Sequence, residues 1–246
     1  MERPTGVSSS EACEGCTTRL QGVLRGLGPP ALARLEQGRF VRRCREGQVL
    51  HYEGNPASGV ECIRSGRVKV YRAGLRERPH ILLIAEPGDV LGIESVVAGG
   101  NHASTAEMIE DGTVCHIERD VFLRALEADP PALRAVAELL AKQLLRSDAD
   151  RVELAGGNVR ERIAVMLLEL VRRYGIPQGT GLRIDLSLSR EDLAEMVGAA
   201  PETAIRQLGE LRREGIVATR GRSIVVEDLA RLAHVASERH SDRTAR

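Results

Sequence analysis

From Val41 to Ile117 the chain is written in short β-type runs, VLHY, VKVY, ILLI and TVCHI, set apart by Gly47, Gly54, Gly66, Gly74, Gly88 and the pair Gly99-Gly100. This cadence of short strands and glycine turns predicts an antiparallel sandwich or roll. The texture changes at Val121. From Pro131 to about Leu154 there is no internal glycine or proline, and Leu133, Val136, Leu140 and Leu144 recur at three- and four-residue spacing, as one face of a helix requires. A long amphipathic helix is therefore expected after the roll. Its stripe turns polar at Ser147-Asp148-Ala149-Asp150-Arg151, and Gly156-Gly157 breaks it.

Beyond that break the pattern gives a helix from about Val159 to Tyr174, a short strand LRIDL, and a compact terminal set. Ser189 precedes Asp192 by three positions, a capping-box-like start, and Leu193, Met196 and Val197 form the apolar face of a short helix ended by Gly198. Pro201 suits the first turn of a second helix with Ala204, Leu208 and Leu211 as its buried stripe, ended by Gly215. IVAT and SIVV, hinged at Arg220-Gly221-Arg222, make a two-stranded wing. Helix, tight turn, helix and wing describe a winged helix-turn-helix, whose second helix enters a DNA major groove.

Charge gives no bulk argument for a nucleic-acid, membrane or acidic partner, because 35 basic residues face 35 acidic ones. Any such partner must be served locally. All the basic residues except Lys69 and Lys142 are arginine, and aromatics are scarce, which argues against stacking single-stranded bases. There is no apolar run long enough for a bilayer and no apolar signal segment in MERPTGVSSSEACEGC, so a cytoplasmic protein with no membrane partner is expected. Five cysteines in a reducing compartment read as thiols, metal ligands or redox groups before structural disulfides. No nucleophile elbow, P-loop, dinucleotide fingerprint or His-Glu-x-x-His pair is present, so no enzyme is expected.

Gly47-Gln-Val-Leu, Ile63-Arg-Ser-Gly66-Arg-Val-Lys-Val, Pro87-Gly-Asp-Val-Leu-Gly92, the long helix, and Ser189-Arg-Glu-Asp-Leu-Ala through Glu202-Thr-Ala-Ile-Arg206 come in the order found in one family. In these residues the chain resembles the cyclic-AMP receptor and fumarate-nitrate-reduction (Crp/Fnr) regulators of bacterial transcription. The resemblance implies an α+β chain: a flexible cysteine-bearing arm (1–20), a cyclic-nucleotide-binding-like antiparallel β-roll (21–127), a dimerisation helix (128–156) and a winged helix-turn-helix (157–246). It further implies a homodimer on a palindromic operator in double-stranded DNA, acting on RNA polymerase.

Cyclic-nucleotide binders of the family carry an Arg-Ser or Arg-Thr pair that grips the buried cyclic phosphate. Here the stretch reads His102-Ala103-Ser104, so cyclic AMP or GMP is not expected as ligand. The run from His102 to Cys115 looks instead like the oxygen-sensing branch, where a cysteine at the position of Cys115 ligates a [4Fe–4S] cluster. That branch adds three N-terminal cysteines opening with Cys-x-x-Cys. Cys13 and Cys16 match the pair, but Gly22 stands where the third would most often lie. Period-two alternation places Ile63 on the core face and Cys62 on the outer face beside Arg64, whereas Cys44 falls where the family has a core hydrophobe. Cys62 is thus the expected fourth ligand. A disulfide switch or zinc site at Cys13 and Cys16 is the alternative on the same residues, and a small-ligand regulator or a roll acting on a protein partner are the readings without either.

For DNA, Glu202 and Arg206 lie four residues apart on the face opposite the buried stripe, suited to a cytosine amino group and a guanine edge. Thr203 and Ile205 flank them, and Ile205 offers only apolar contact where the oxygen-sensing branch has serine. Arg212, Arg213, Arg220 and Arg222 are placed for phosphates. The dimer seam is expected at Leu133, Val136, Leu140, Leu144 and Asp148, where like charges near a two-fold axis oppose their own copies.

Overall fold

A computed structural model describes residues 12–74, 79–154 and 158–237, the side chains of 146–154 excepted. Two units separate: residues 12–73 with 82–146, and residues 74–81 with 147–237.

The first unit opens with three short 3-10 turns (Cys13–Gly15, Thr18–Gln21, Val23–Gly26) and helix α1 (Pro29–Gln37). Strands β1 (Arg39–Cys44), β2 (Val49–His51), β3 (Gly59–Ser65), β4 (Val68–Ala73), β5 (Pro79–Ala85), β6 (Val90–Leu91), β7 (Thr105–Met108) and β8 (Gly112–Glu118) follow, with α2 (Ile93–Ala98) inserted after β6. They form two four-stranded sheets, ordered β1-β8-β3-β6 and β2-β7-β4-β5. Helices α3 (Arg119–Glu127) and α4 (Pro130–Leu154) complete the unit. The β-run pattern thus corresponds to an antiparallel roll.

The first sheet is buried on both faces, and period-two alternation sorts its residues. Ile63 and Val114 turn inward to a cluster with Cys44, Val68, Val70 and Met108. Val60, Ile117 and the half-buried Cys62 turn the other way, into a second cluster built with Leu24, Leu35, Phe122, Ala132 and Val136. Of the segment expected to be a loose arm (1–20), the described part folds into 3-10 turns and contributes Cys13, 9% exposed, to that second cluster. The seam expectation is corrected in the same place. Val136 is 2% exposed and packs into the roll's own cluster with Ala132, whereas Leu133 and Leu144 are 53% and 63% exposed. Asp148 and Asp150 lie outside the described side chains.

The second unit contains α5 (Val159–Tyr174), β9 (Gly175–Gln178), β10 (Gly181–Ile184), α6 (Arg190–Met196), α7 (Pro201–Arg213), β11 (Val217–Arg220), β12 (Ser223–Val226) and α8 (Leu229–Ser237). Asn158 with Glu161 caps α5 and Ser189 with Asp192 caps α6, each by a reciprocal capping box. Strands β11 and β12 pair in register from Val217↔Val226 to Arg220↔Ser223 and continue into a sheet ordered β11-β12-β10-β9. Ala204, Leu208 and Leu211 bury one side of α7.

Candidate functional site

Cys62 of β3 and Cys115 of β8 are direct cross-strand partners. Both lie on the sheet face that the N-terminal turns cover, and Cys13, Cys16, Cys62 and Cys115 all line one pocket. Its free space is about 460 Å3, counted with the solvent at its mouth. Arg19, Arg39 and Arg64 share its wall. Cys44, 2% exposed, is in the roll interior and takes no part.

Gly22 explains the departure from the three-cysteine arm. A Cβ built on Gly22 would stand 1.7 Å from the Gly88 carbonyl oxygen, so the turn carrying Gly22 lies flat on the Gly88 turn and admits no side chain.

Burial favours the protonated form of Cys13, Cys62 and Cys115. Desolvation and then hydrogen bonding to the Glu36 carboxylate push the Cys13 thiol up to about 12. Cys62 is raised well above the usual thiol range by burial and then by Cys115, Cys13, Glu61 and Cys16 around it. Burial also raises Cys115, against the opposing pull of Arg39 and Arg64. Among the described residues no three His, Cys, Asp or Glu side chains converge tightly enough for a single metal ion; the thiols ring a space instead.

In the stretch where the family carries its phosphate-gripping Arg-Ser pair, here His102-Ala103-Ser104, His102 is 6% exposed and its ring stacks on His51, centroids 3.8 Å apart and planes 6° from parallel. It faces Gly92, whose added Cβ would meet the ring at 3.2 Å. Burial first, and then the charge a second proton would meet at His102 and Arg42, lower His51 to about 3, and burial lowers His102 too. Both rings are therefore neutral in the fold. An unfolded His51 takes a proton below pH 6.5 while the folded one refuses it until about 3, so this contribution is intact above pH 6.5 and is lost as pH falls across that window. Wild-type stability is expected to fall more steeply than that of His51→Gln between pH 6.5 and 3, by up to about 1.4 kcal/mol per pH unit. Chemical denaturation at several pH values measures it, and parallel curves for the two proteins would refute it.

In the second unit, Glu202, Ile205, Arg206, Arg212, Arg213, Arg220 and Arg222 are exposed and Thr203 is half-buried. Glu202 and Arg206 lie on the side of α7 away from its buried stripe, and Pro201 occupies the first turn. Arg190 was not among the expected residues. Its Nη2 donates to the Gly221 carbonyl at 2.9 Å, joining α6 to the wing tip, while Nη1 is buried with no partner among the described residues. Burial and the nearby Arg212 oppose its charge. The signal was available: Arg190 immediately follows the helix cap at Ser189.

Residues 161–235 match the profile of a Crp-like helix-turn-helix domain and residues 41–129 that of a cyclic nucleotide-binding domain. The chain is 31% identical over 216 residues to a Mycobacterium tuberculosis protein described as a CRP-like cAMP-activated global transcriptional regulator, covering 87% of this chain and 96% of that one. To the fumarate and nitrate reduction regulatory protein of Escherichia coli K12 it is 29% identical over 192 residues, 78% of this chain and 76% of the other. Among solved structures, FixK2 from Bradyrhizobium japonicum superposes with a TM-score of 0.70 at 28% identity, covering 81% of this chain and 98% of its own. No described helix is long and apolar enough to cross a membrane.

Proposed function

We propose a sensor of oxygen or redox state, starting from the fact that this chain belongs to the Crp/Fnr family of DNA-binding transcription regulators. Such regulators bind DNA and act as dimers, and the chain is a regulator and not an enzyme. The observation that carries the sensor reading is the meeting of Cys13, Cys16, Cys62 and Cys115 in one pocket. Four thiolates are the usual complement of a [4Fe–4S] cluster, and thiols arranged around a space suit a polynuclear group better than one ion. Such a group supplies an oxygen-labile link between the ligands that hold it.

The protein's own residues do the rest. Cys13 and Cys62 belong to the same packed cluster as Ala132 and Val136 of α4, so the state of the pocket bears on the inner face of that helix. Its outer face carries Leu133 and Leu144. A pure thiol–disulfide switch is disfavoured because buried, protonated thiols are slow nucleophiles, whereas iron displaces their protons on binding. Carrying cyclic-AMP activation over from the mycobacterial relative is disfavoured because His102-Ala103-Ser104 offers no arginine to a cyclic phosphate.

Protein purified without oxygen is expected to contain iron and sulfide, to absorb in the visible, and to lose both colour and palindrome binding in air. Colourless, iron-free anaerobic protein whose DNA binding is lost in air and restored by dithiothreitol would refute the cluster and favour the thiol switch.

For the DNA face, α7 is the reading helix. Arg206→Ala is expected to cost about 1–3 kcal/mol at the specific palindrome while leaving non-specific binding nearly intact. Arg220→Ala should weaken all sequences alike and reduce the salt dependence. Titrations of both variants on specific and scrambled duplexes at several salt concentrations decide it; unchanged palindrome affinity for Arg206→Ala removes its base-reading role.

A further inference from the structure

Arg39 of β1 connects two thiols that are far apart in sequence. Its side chain is 10% exposed and lines the thiol pocket. Nη1 donates toward the Cys115 Sγ at 3.9 Å, and Nη2 donates to the Glu36 carboxylate. The other Glu36 oxygen accepts from the Cys13 backbone N–H at 2.8 Å, and the Cys13 thiol also hydrogen-bonds this carboxylate. From the other side, Arg19 Nε donates to the Cys13 carbonyl at 3.0 Å. These polar contacts add to the packing of Cys13 in the cluster and fix its place over the sheet.

One donor is left over. Arg39 Nε is buried with no partner among the described residues. An unmatched buried N–H costs on the order of 1–3 kcal/mol, a standing penalty that an acceptor in the pocket would relieve.

We infer that Glu36 and Arg39 form a latch that docks Cys13 beside Cys115 before any metal is present, and that Arg39 then holds the anionic metal–thiolate group in place. The second half rests on the cluster reading above; the first does not. Ordering the N-terminal segment costs chain entropy. A latch that meets this cost in the apo protein leaves more of the metal–thiolate energy for affinity. Iron bound by thiolates carries net negative charge, and a buried guanidinium beside it supplies a counter-charge with directed N–H groups. Glu36 and Arg39 are positioning residues and not ligands.

The test uses the full chain as wild type, Arg39→Gln, Arg39→Lys and Glu36→Gln, each as chelator-treated apo protein and after anaerobic reconstitution with ferrous iron and sulfide. Circular dichroism checks the fold; Glu36 is 36% exposed, so its substitution tests the latch even where Arg39→Gln destabilises β1. In apo protein, limited proteolysis within residues 12–26 is expected to run about tenfold faster or more in Arg39→Gln and Glu36→Gln, a rise of about 1.4 kcal/mol or more in the population of the undocked segment. In reconstituted protein, iron retention against a chelator should fall about 10–100-fold in Arg39→Gln. Arg39→Lys keeps the charge without the fork and should recover iron retention in part but not the docking.

Equal protection of the apo segment in all four proteins overturns the latch. Wild-type protein that takes up no iron, with a segment still released by both substitutions, overturns the cluster and supports the docking. Wild-type protein that holds iron, with iron retention and protection unmoved by substitution, overturns the latch and leaves the cluster standing.

Discussion

Cys62→Ser protein prepared without oxygen is expected to be colourless and to bind the palindrome as weakly as air-exposed wild type, with or without air. Removing a ligand should weaken iron retention by more than the roughly 10–100-fold that loss of an outer partner costs. The fold should survive, because Cys62 is only half-buried and serine is nearly isosteric. Cys44→Ala is the matched control. That thiol lies in the roll interior, so its loss should cost about 1 kcal/mol of stability and leave iron and air response intact. A sharper arm adds Gly22→Cys to Cys62→Ser, restoring the family's third N-terminal cysteine. It should not rescue iron binding, because a Cβ at residue 22 collides with the Gly88 carbonyl at 1.7 Å. Iron retained by Cys62→Ser, or regained in the double variant, would remove Cys62 from the ligand set.

The strand face on which Cys62 lies was legible for a simple reason. Alternation along Glu61-Cys62-Ile63-Arg64 is a local property of a strand, and the register then sets Cys62 opposite Cys115. The roll and the winged helix were legible likewise, from glycine turns, helix caps and apolar periods. What the sequence does not display is contact between distant segments. The N-terminal turns read as loose because nothing local holds them; Glu36, Arg19 and the Gly22–Gly88 approach do so from elsewhere. The stack of His51 on His102 joins the end of β2 to a loop some fifty residues away and leaves no periodic trace. Helix α4 shows a third kind of limit. Two apolar stripes share one helix, and a list of leucines and valines at three- and four-residue spacing blends them.

Separating those stripes yields the second large effect. Leu133, Ala137 and Leu144 step by four and seven residues, the spacing of a two-helix seam, and all three are exposed, whereas the half-buried Leu140 packs against the roll cluster. Ala132 and Val136 lie on the other side, against the roll. We propose the first set as the dimer contact. Leu133→Glu with Leu144→Glu withdraws two leucines from each copy, four in the dimer, at about 1.5–3 kcal/mol apiece. The dissociation constant should rise by at least about four orders of magnitude, since each 1.4 kcal/mol is tenfold. Because both side chains are solvent-exposed in the single chain, thermal unfolding of the resulting monomer should keep its midpoint. Binding to a palindrome should collapse, as one unit reaches only one half-site. Val136→Ala should do the reverse, costing roughly 2–3 kcal/mol of stability through the cavity it leaves while the seam persists. Sedimentation velocity with thermal unfolding separates the two, and a double-glutamate variant that remains dimeric would place the contact elsewhere than on this face of α4.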